Sequence, residues 1–112
     1  MAKLELQPGE TVIDTWTLFY LPPEGGKYNG KLTVTDRRLI YVASDDASLF
    51  GVLAHAAASG RIEIDKADIG AIDVRRGLFS KKAELTLADG SKHAFDRGAM
   101  SIDKVVAAIE TR

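Results

Sequence analysis

The segment RRGLFSKK, residues 75–82, has the residue types of a contact site for an anionic surface. It places the apolar pair Leu78-Phe79 between four cations, and none of its residues is acidic: Arg75, Arg76, Lys81 and Lys82. Cations beside an exposed aromatic ring can hold an anionic membrane, since each charge contributes about 1 kcal/mol near such a surface. The alternative interpretation is that the cations are the solvated flanks of a turn and that Phe79 packs on the core.

The segment from Ser48 to Ser59 predicts a second interaction surface. It carries four apolar side chains in a stretch without strand alternation: Leu49, Phe50, Val52 and Leu53. Apolar groups in a loop are unusual unless something covers them. They predict either a docking surface for a subunit, a partner or a bilayer, or extra core packed over the sheet. The pattern does not choose between a helix and a loop for residues 44–60.

Reactive side chains do not form a recognisable catalytic or metal-binding pattern. The chain has no cysteine, and its two histidines, His55 and His93, are far apart and lack metal-ligand spacing. Serine and aspartate are plentiful, but none of them falls in a triad or paired-carboxylate arrangement. The sequence therefore predicts a protein that is not an enzyme and that uses no cofactor and no metal.

Composition limits the class of protein and its partners. The chain of 112 residues fits one domain, residues 1–112, and its 15 basic and 16 acidic side chains give a net charge of −1. This balance disfavours a nucleic-acid partner, because such proteins normally carry a positive excess. No apolar run approaches the ~20 residues of a membrane-spanning helix. We expect a cytoplasmic protein, with peripheral membrane attachment as an option.

Alternating apolar residues predict seven antiparallel strands, with residues 44–60 as an insertion between the third and the fourth. A two-residue turn at Asp36-Arg37 would place Val34 opposite Leu39 and Leu32 opposite Tyr41. In the last hairpin, a three-residue loop with Gly90 in the left-handed conformation would align Leu85 with His93 and Ala83 with Phe95.

The end of the chain, residues 101–111, has the pattern of an amphipathic helix. One apolar stripe is formed by Ile102, Val105, Val106 and Ile109, and Ser101 is suited to the N-cap. A small antiparallel sheet must manage its edges and cover one face. The element count therefore predicts a mainly β fold: a pleckstrin-homology-like (PH-like) barrel of seven antiparallel strands capped by a C-terminal helix.

The chain resembles a GRAM or bacterial PH-like domain over nearly its whole length outside residues 44–60. The segments that carry the likeness are PGE at 8–10, GKLTVTDRRLIYVAS at 30–44, IDKADIGAIDV at 64–74, ELTLADGSKHAF at 84–95 and the final helix. The resemblance implies a non-catalytic module that binds lipid head groups or proteins. Lipid-binding members carry basic residues on the first strand and the following loop, where this sequence offers Lys27 and Lys31.

The leading hypothesis is attachment to an anionic lipid surface or to a protein through these cations and the apolar pair Leu78-Phe79. The alternative is an oligomerisation or scaffold module, a homo-oligomer for instance, that uses a sheet edge and the segment 49–53. In an uninterrupted meander, the loops at 21–30, 44–60 and 77–80 would share one end of the barrel. The turn Thr35-Asp36-Arg37-Arg38 would then be a polar hairpin tip at the opposite end.

Overall fold

The computed structural model describes residues 6–23, 25–43 and 61–111. It contains seven strands and one helix in the following order: β1 (Val12–Leu21), β2 (Tyr28–Thr35), β3 (Arg38–Ala43), β4 (Arg61–Asp65), β5 (Ile69–Arg76), β6 (Lys81–Leu87), β7 (Lys92–Asp96) and α1 (Asp103–Glu110). A short 3₁₀ turn, Lys66–Asp68, joins β4 to β5. The predicted insertion at 44–60, with Leu49, Phe50, Val52 and Leu53, lies outside the described residues. The predictions made for it stay predictions.

The strands form one antiparallel sheet in the order β4-β3-β2-β1-β7-β6-β5. The predicted closure into a barrel is wrong, because within the described residues β4 and β5 are the two ends of the sheet. The antiparallel β1–β7 pairing makes β4 and β5 run in the same sense, and only the 3₁₀ turn connects them. Parallel pairing needs a crossover of about a dozen residues or more, so this connection leaves the sheet open.

Because β4 and β5 run in the same sense, the alternation of loops between the two ends of the sheet is interrupted there, which alters which loops lie together. Leu21 is opposite Ala94, so the segment after β1 approaches the turn between β6 and β7. The loop at 77–80 follows β5 and therefore lies at the other end of β6. The expectation that the loops at 21–30 and 77–80 share one end is wrong. It assumed that every strand reverses direction relative to the one before it, and β5 does not reverse relative to β4.

The predicted hairpin registers are confirmed. Val34 pairs with Leu39 and Leu32 with Tyr41, while Leu85 pairs with His93 and Ala83 with Phe95. Gly90 has a φ of 88°, the left-handed conformation that the loop requires.

Gly30 gives the β2–β3 hairpin the space for a buried tyrosine. A Cβ at this position would lie 2.3 Å from the Val42 carbonyl oxygen and 2.7 Å from the Tyr41 hydroxyl. The Tyr41 hydroxyl instead donates a hydrogen bond to the Tyr28 carbonyl oxygen over 2.9 Å. Any larger residue at 30 would displace either the strand or this hydroxyl.

The helix α1 packs the apolar stripe that was predicted onto the core. Ile102, Val105 and Ile109 are buried, and Val106 is half-buried. The helix begins at Asp103 rather than at residue 101, and the Asp103 N–H donates to Ser101 Oγ over 3.2 Å. At the other end, the buried amine of Lys66 donates to the carbonyl oxygens of Ala108 and Thr111. The connection between β4 and β5 therefore holds the last turn of the helix.

The two arginines of the β2–β3 turn have different environments. Arg37 is exposed, which agrees with a polar hairpin tip. Arg38 is only 5% exposed, and the tip interpretation is wrong for it. Its Nε donates to Glu10 Oε2 over 2.8 Å and its Nη1 to Glu63 Oε1 over 2.5 Å. The Thr35 hydroxyl also donates to Glu10 Oε2, over 2.6 Å, so the segment before β1 is tied to β3 by a buried ion pair.

This pair predicts an acid-dependent loss of stability. The hydrogen bond from Arg38 lowers the pKa of Glu10 from 4.5 to about 2, against the opposing effect of burial. A lowered folded-state pKa stabilises the fold above the unfolded value, and that contribution is lost as the pH falls from about 4.5 towards 2. Urea unfolding of the wild type and of Glu10→Gln should therefore give a stability difference that narrows over this range. A difference that is independent of pH would contradict the prediction.

Candidate functional site

The hairpin between β5 and β6 projects two apolar side chains into solvent. The Gly77 N–H donates to the Ser80 carbonyl oxygen over 2.8 Å, which leaves Leu78 and Phe79 at the turn. Leu78 is 78% exposed and Phe79 is 81% exposed. The interpretation in which Phe79 packs on the core is therefore wrong. We call residues 75–82 the β5–β6 tip.

The four cations of the β5–β6 tip face one another in two pairs. Arg75 lies opposite Lys82, and Arg76 lies opposite Lys81. Like charges directly opposite on neighbouring strands are destabilising. Within the described residues, no carboxylate lies within ion-pair distance of Arg75 or Lys82. These two cations therefore remain available to an external anion.

The other two cations of the tip also contact the protein itself. Arg76 Nη2 lies 2.6 Å from Asp103 Oδ1 at the start of α1, and this contact lowers the pKa of Asp103. Lys81 Nζ donates to the Gly77 carbonyl oxygen over 2.5 Å. Both cations are still solvated enough to face an anionic surface, but they also hold the turn in place.

Asp96, at the end of β7, anchors the tip. Its carboxylate accepts hydrogen bonds from the Ser80 hydroxyl over 2.8 Å and from the Gly98 N–H over 2.7 Å. Burial by itself would raise the pKa of Asp96, but these two hydrogen bonds and the nearby charge of Lys27 keep it below its usual value. The ionised carboxylate therefore fixes the turn against the loop that follows β7. Sequence patterns did not indicate this role, because Ser80 and Asp96 are distant in the chain.

A third apolar side chain lies in the loop beside the tip. The Arg97 N–H donates to the Lys81 carbonyl oxygen over 3.0 Å, which holds the loop after β7 against β6. Met100 in this loop is 62% exposed, and its sulfur lies 3.9 Å from Arg97 Nη2. Sequence patterns gave no signal for Met100 as a surface residue, because its exposure depends on how the loop after β7 folds.

The two lysines implied by the family resemblance lie apart from each other. Lys27 Nζ is 4.4 Å from the centroid of the Phe19 ring, and Phe19 is opposite Asp96, so Lys27 lies near the residue that anchors the tip. Lys31 lies within β2, between Thr17 and Val42, and is not beside the tip.

A cleft of about 590 Å³ runs along the outer face of the sheet between the tip and the end of β1. Its basic residues are Arg75, Lys82 and Lys92, and Glu84 is its acidic residue. Pro22 and Pro23 form one wall, and Gly90 and Ser91 lie at the far end. The two unpaired cations of the tip, Arg75 and Lys82, therefore line a cleft whose charged residues are mainly basic.

The described residues show no metal site, and His93 has a structural role. Within the described residues, no group of three or more His, Cys, Asp or Glu side chains could hold a metal ion. His93 Nδ1 lies 2.6 Å from the Tyr20 hydroxyl, a hydrogen bond at the edge of the core. In the same part of the chain, no helix is long and apolar enough to cross a membrane.

These observations define a mainly β protein with a seven-stranded antiparallel sheet, a C-terminal helix and an exposed basic and apolar tip. No protein-family model matches the chain, and no curated protein sequence matches it. The crystal structure of the C-terminal domain of an unknown protein from Leishmania infantum is similar, with a TM-score of 0.65 and 15% sequence identity. The match covers 89% of this chain and 82% of that chain, and at this identity it shows a shared fold.

Proposed function

We propose that this chain is a non-catalytic PH-like module of the GRAM type that attaches to anionic membrane surfaces through the β5–β6 tip. The strand number, the antiparallel pairing and the C-terminal helix support this fold assignment. The open sheet is compatible with it, because the buried side chains of α1 belong to the same core as those of the strands.

The observation that carries the proposal is the combination of exposed apolar groups with unpaired cations. Leu78 and Phe79 are among the most exposed large apolar side chains of the described residues. Burial of such groups in the boundary between head groups and acyl chains is favourable, and the adjacent cations add electrostatic attraction to anionic lipids. The repulsion within the two facing cation pairs destabilises the free hairpin, and contact with lipid phosphates would reduce this repulsion.

Vesicle flotation tests this function. The protein is mixed with vesicles of phosphatidylcholine alone or with about one third phosphatidylserine, at low and at high salt. We expect flotation with the anionic vesicles at low salt, and a marked loss at high salt because salt screens exposed charges. Absence from both vesicle types at low salt would contradict membrane attachment and favour a protein partner for the same tip.

A further inference from the structure

The outer strand β5 offers a free edge for strand pairing. In an antiparallel hairpin, hydrogen-bonded and non-hydrogen-bonded residue pairs alternate. Because Gly77 N–H donates to Ser80, the amides of Asp73 and Arg75 also face β6. The backbone groups of Ile72, Val74 and Arg76 therefore point away from the sheet. Nothing in residues 6–23, 25–43 or 61–111 pairs with them. Such an edge is a template for another strand.

Space for another strand is present beside this edge. A groove of about 350 Å³ lies between β5 and the end of the helix, and it is lined by Ile69, Gly70, Ala71, Ile72, Ile109 and Glu110. Gly70 and Ala71 are small and exposed, which allows close approach of a backbone. Beside residues 69–72, the edge is therefore not blocked by side chains of the helix.

The charges on the outer face of β5 favour a partner with a specific pattern. Asp73 lies opposite Glu84, and Arg75 lies opposite Lys82, so each of these two charges of β5 faces a like charge on β6. A strand on the free side of β5 would relieve both conflicts if it placed a cation beside Asp73 and an anion beside Arg75. The strand β5 itself carries this pattern when it is read in the reverse direction.

We propose that a second copy of this chain pairs with β5 in antiparallel register, with Val74 opposite Val74 of the second copy. Asp73 of each copy then lies beside Arg75 of the other, on both sides of the two-fold axis. The backbone groups that point outward from Val74 meet their own counterparts, as an antiparallel ladder requires. Arg76 of the second copy lies opposite Ile72, next to Glu110 in the groove.

Neighbouring registers do not have this complementarity. A register centred on Asp73 places the two aspartates together, and a register centred on Arg75 places the two arginines together. A register centred on Ile72 leaves both charges opposite apolar residues. Opposite charges across a strand pair stabilise it, whereas like charges destabilise it, so the register centred on Val74 is favoured.

Charge reversal tests the pairing by sedimentation velocity over a concentration series. Asp73→Arg and Arg75→Asp should each weaken the dimer at least tenfold, because each places like charges across the two-fold axis. An equimolar mixture of the two variants should form a heterodimer, and the double variant D73R/R75D should form a homodimer again. Asp14→Arg, an exposed carboxylate on β1, is the matched control and should leave the dimer unchanged.

A single cysteine tests the register directly, since the chain has none. Facing Cα atoms in an antiparallel pair are about 5.5 Å apart, within the range of a disulfide. Val74→Cys should therefore form a covalent dimer on mild oxidation, whereas Ile72→Cys, which would face Arg76, should not. A wild-type protein that remains monomeric at the highest concentration would overturn the proposal, as would equal cross-linking of the two cysteine variants. None of these readouts depends on membrane attachment.

Discussion

Replacement of Arg38 by alanine is expected to lower the free energy of unfolding by about 3 to 5 kcal/mol. The guanidinium group of Arg38 donates to Glu10 through Nε and Nη2, over 2.8 and 3.0 Å, and to Glu63 through Nη1. The Glu10 side chain is fully buried, so the variant would leave a carboxylate without its counter-charge inside the protein. Urea unfolding at neutral pH measures the loss.

The adjacent arginine is a matched control for this experiment. Arg37 is exposed, and its side chain donates a long hydrogen bond, 3.3 Å, to Gln7. Arg37→Ala should therefore change the free energy of unfolding by no more than about 0.5 kcal/mol. The double variant Glu10→Leu with Arg38→Met should recover much of the loss, because apolar groups can replace a buried ion pair. Equal losses for Arg37→Ala and Arg38→Ala would contradict the assignment.

The double variant Leu78→Ser with Phe79→Ser is expected to lower the affinity for anionic vesicles about 100-fold. Full burial of a leucine or phenylalanine contributes about 1.5 to 3 kcal/mol, and partial burial of both at the interface contributes about 2.7 kcal/mol, which corresponds to that factor. The variant keeps every cation of the tip, so any residual binding reports the electrostatic contribution alone. Binding curves from vesicle co-sedimentation measure the change.

Val12→Ser with Ile13→Ser is the matched control for the tip variant. These two residues of β1 are 40% and 38% exposed, and they lie away from the tip near the β2–β3 turn. Their replacement also exchanges two exposed apolar side chains for serine, but it should leave vesicle affinity within about twofold because they lie away from the tip. If both double variants lost affinity equally, membrane contact would not be localised at the tip.

Local pairing was predictable from the sequence because alternation constrains it. Leu32 and Val34 must face the same side as Leu39 and Tyr41, and only one turn length allows this. The pairing of Leu85 with His93 follows from the same constraint on the apolar face. The apolar stripe of α1 was likewise visible in Ile102, Val105 and Ile109. In each of these cases the information lies within a few residues of the chain.

Long-range relations were not predictable in the same way. The partner of Arg38 is Glu10, which is 28 residues away, and nothing in their spacing indicates the contact. The predictions of a closed barrel and of a shared loop end were wrong for one reason: β4 and β5 run in the same sense instead of forming a hairpin. At the candidate site, the β5–β6 tip, residues 75–82, was found from composition, but the exposure of Phe79 and the proximity of Met100 depend on tertiary structure.

The β1–β7 pairing joins two groups of strands that otherwise pair only with neighbours in sequence. It consists of Phe19 with Asp96, Tyr20 with Phe95 and Leu21 with Ala94. The hairpins within β1–β4 and within β5–β7 close shorter loops, of which residues 44–60 form the longest, whereas the β1–β7 pairing must bring together residues much farther apart in the chain. The entropic cost of closing a loop grows with the logarithm of its length, so this pairing carries the largest closure cost in the sheet. In a folding reaction, the two hairpin groups can therefore organise locally, and the contacts around Tyr20 complete the sheet.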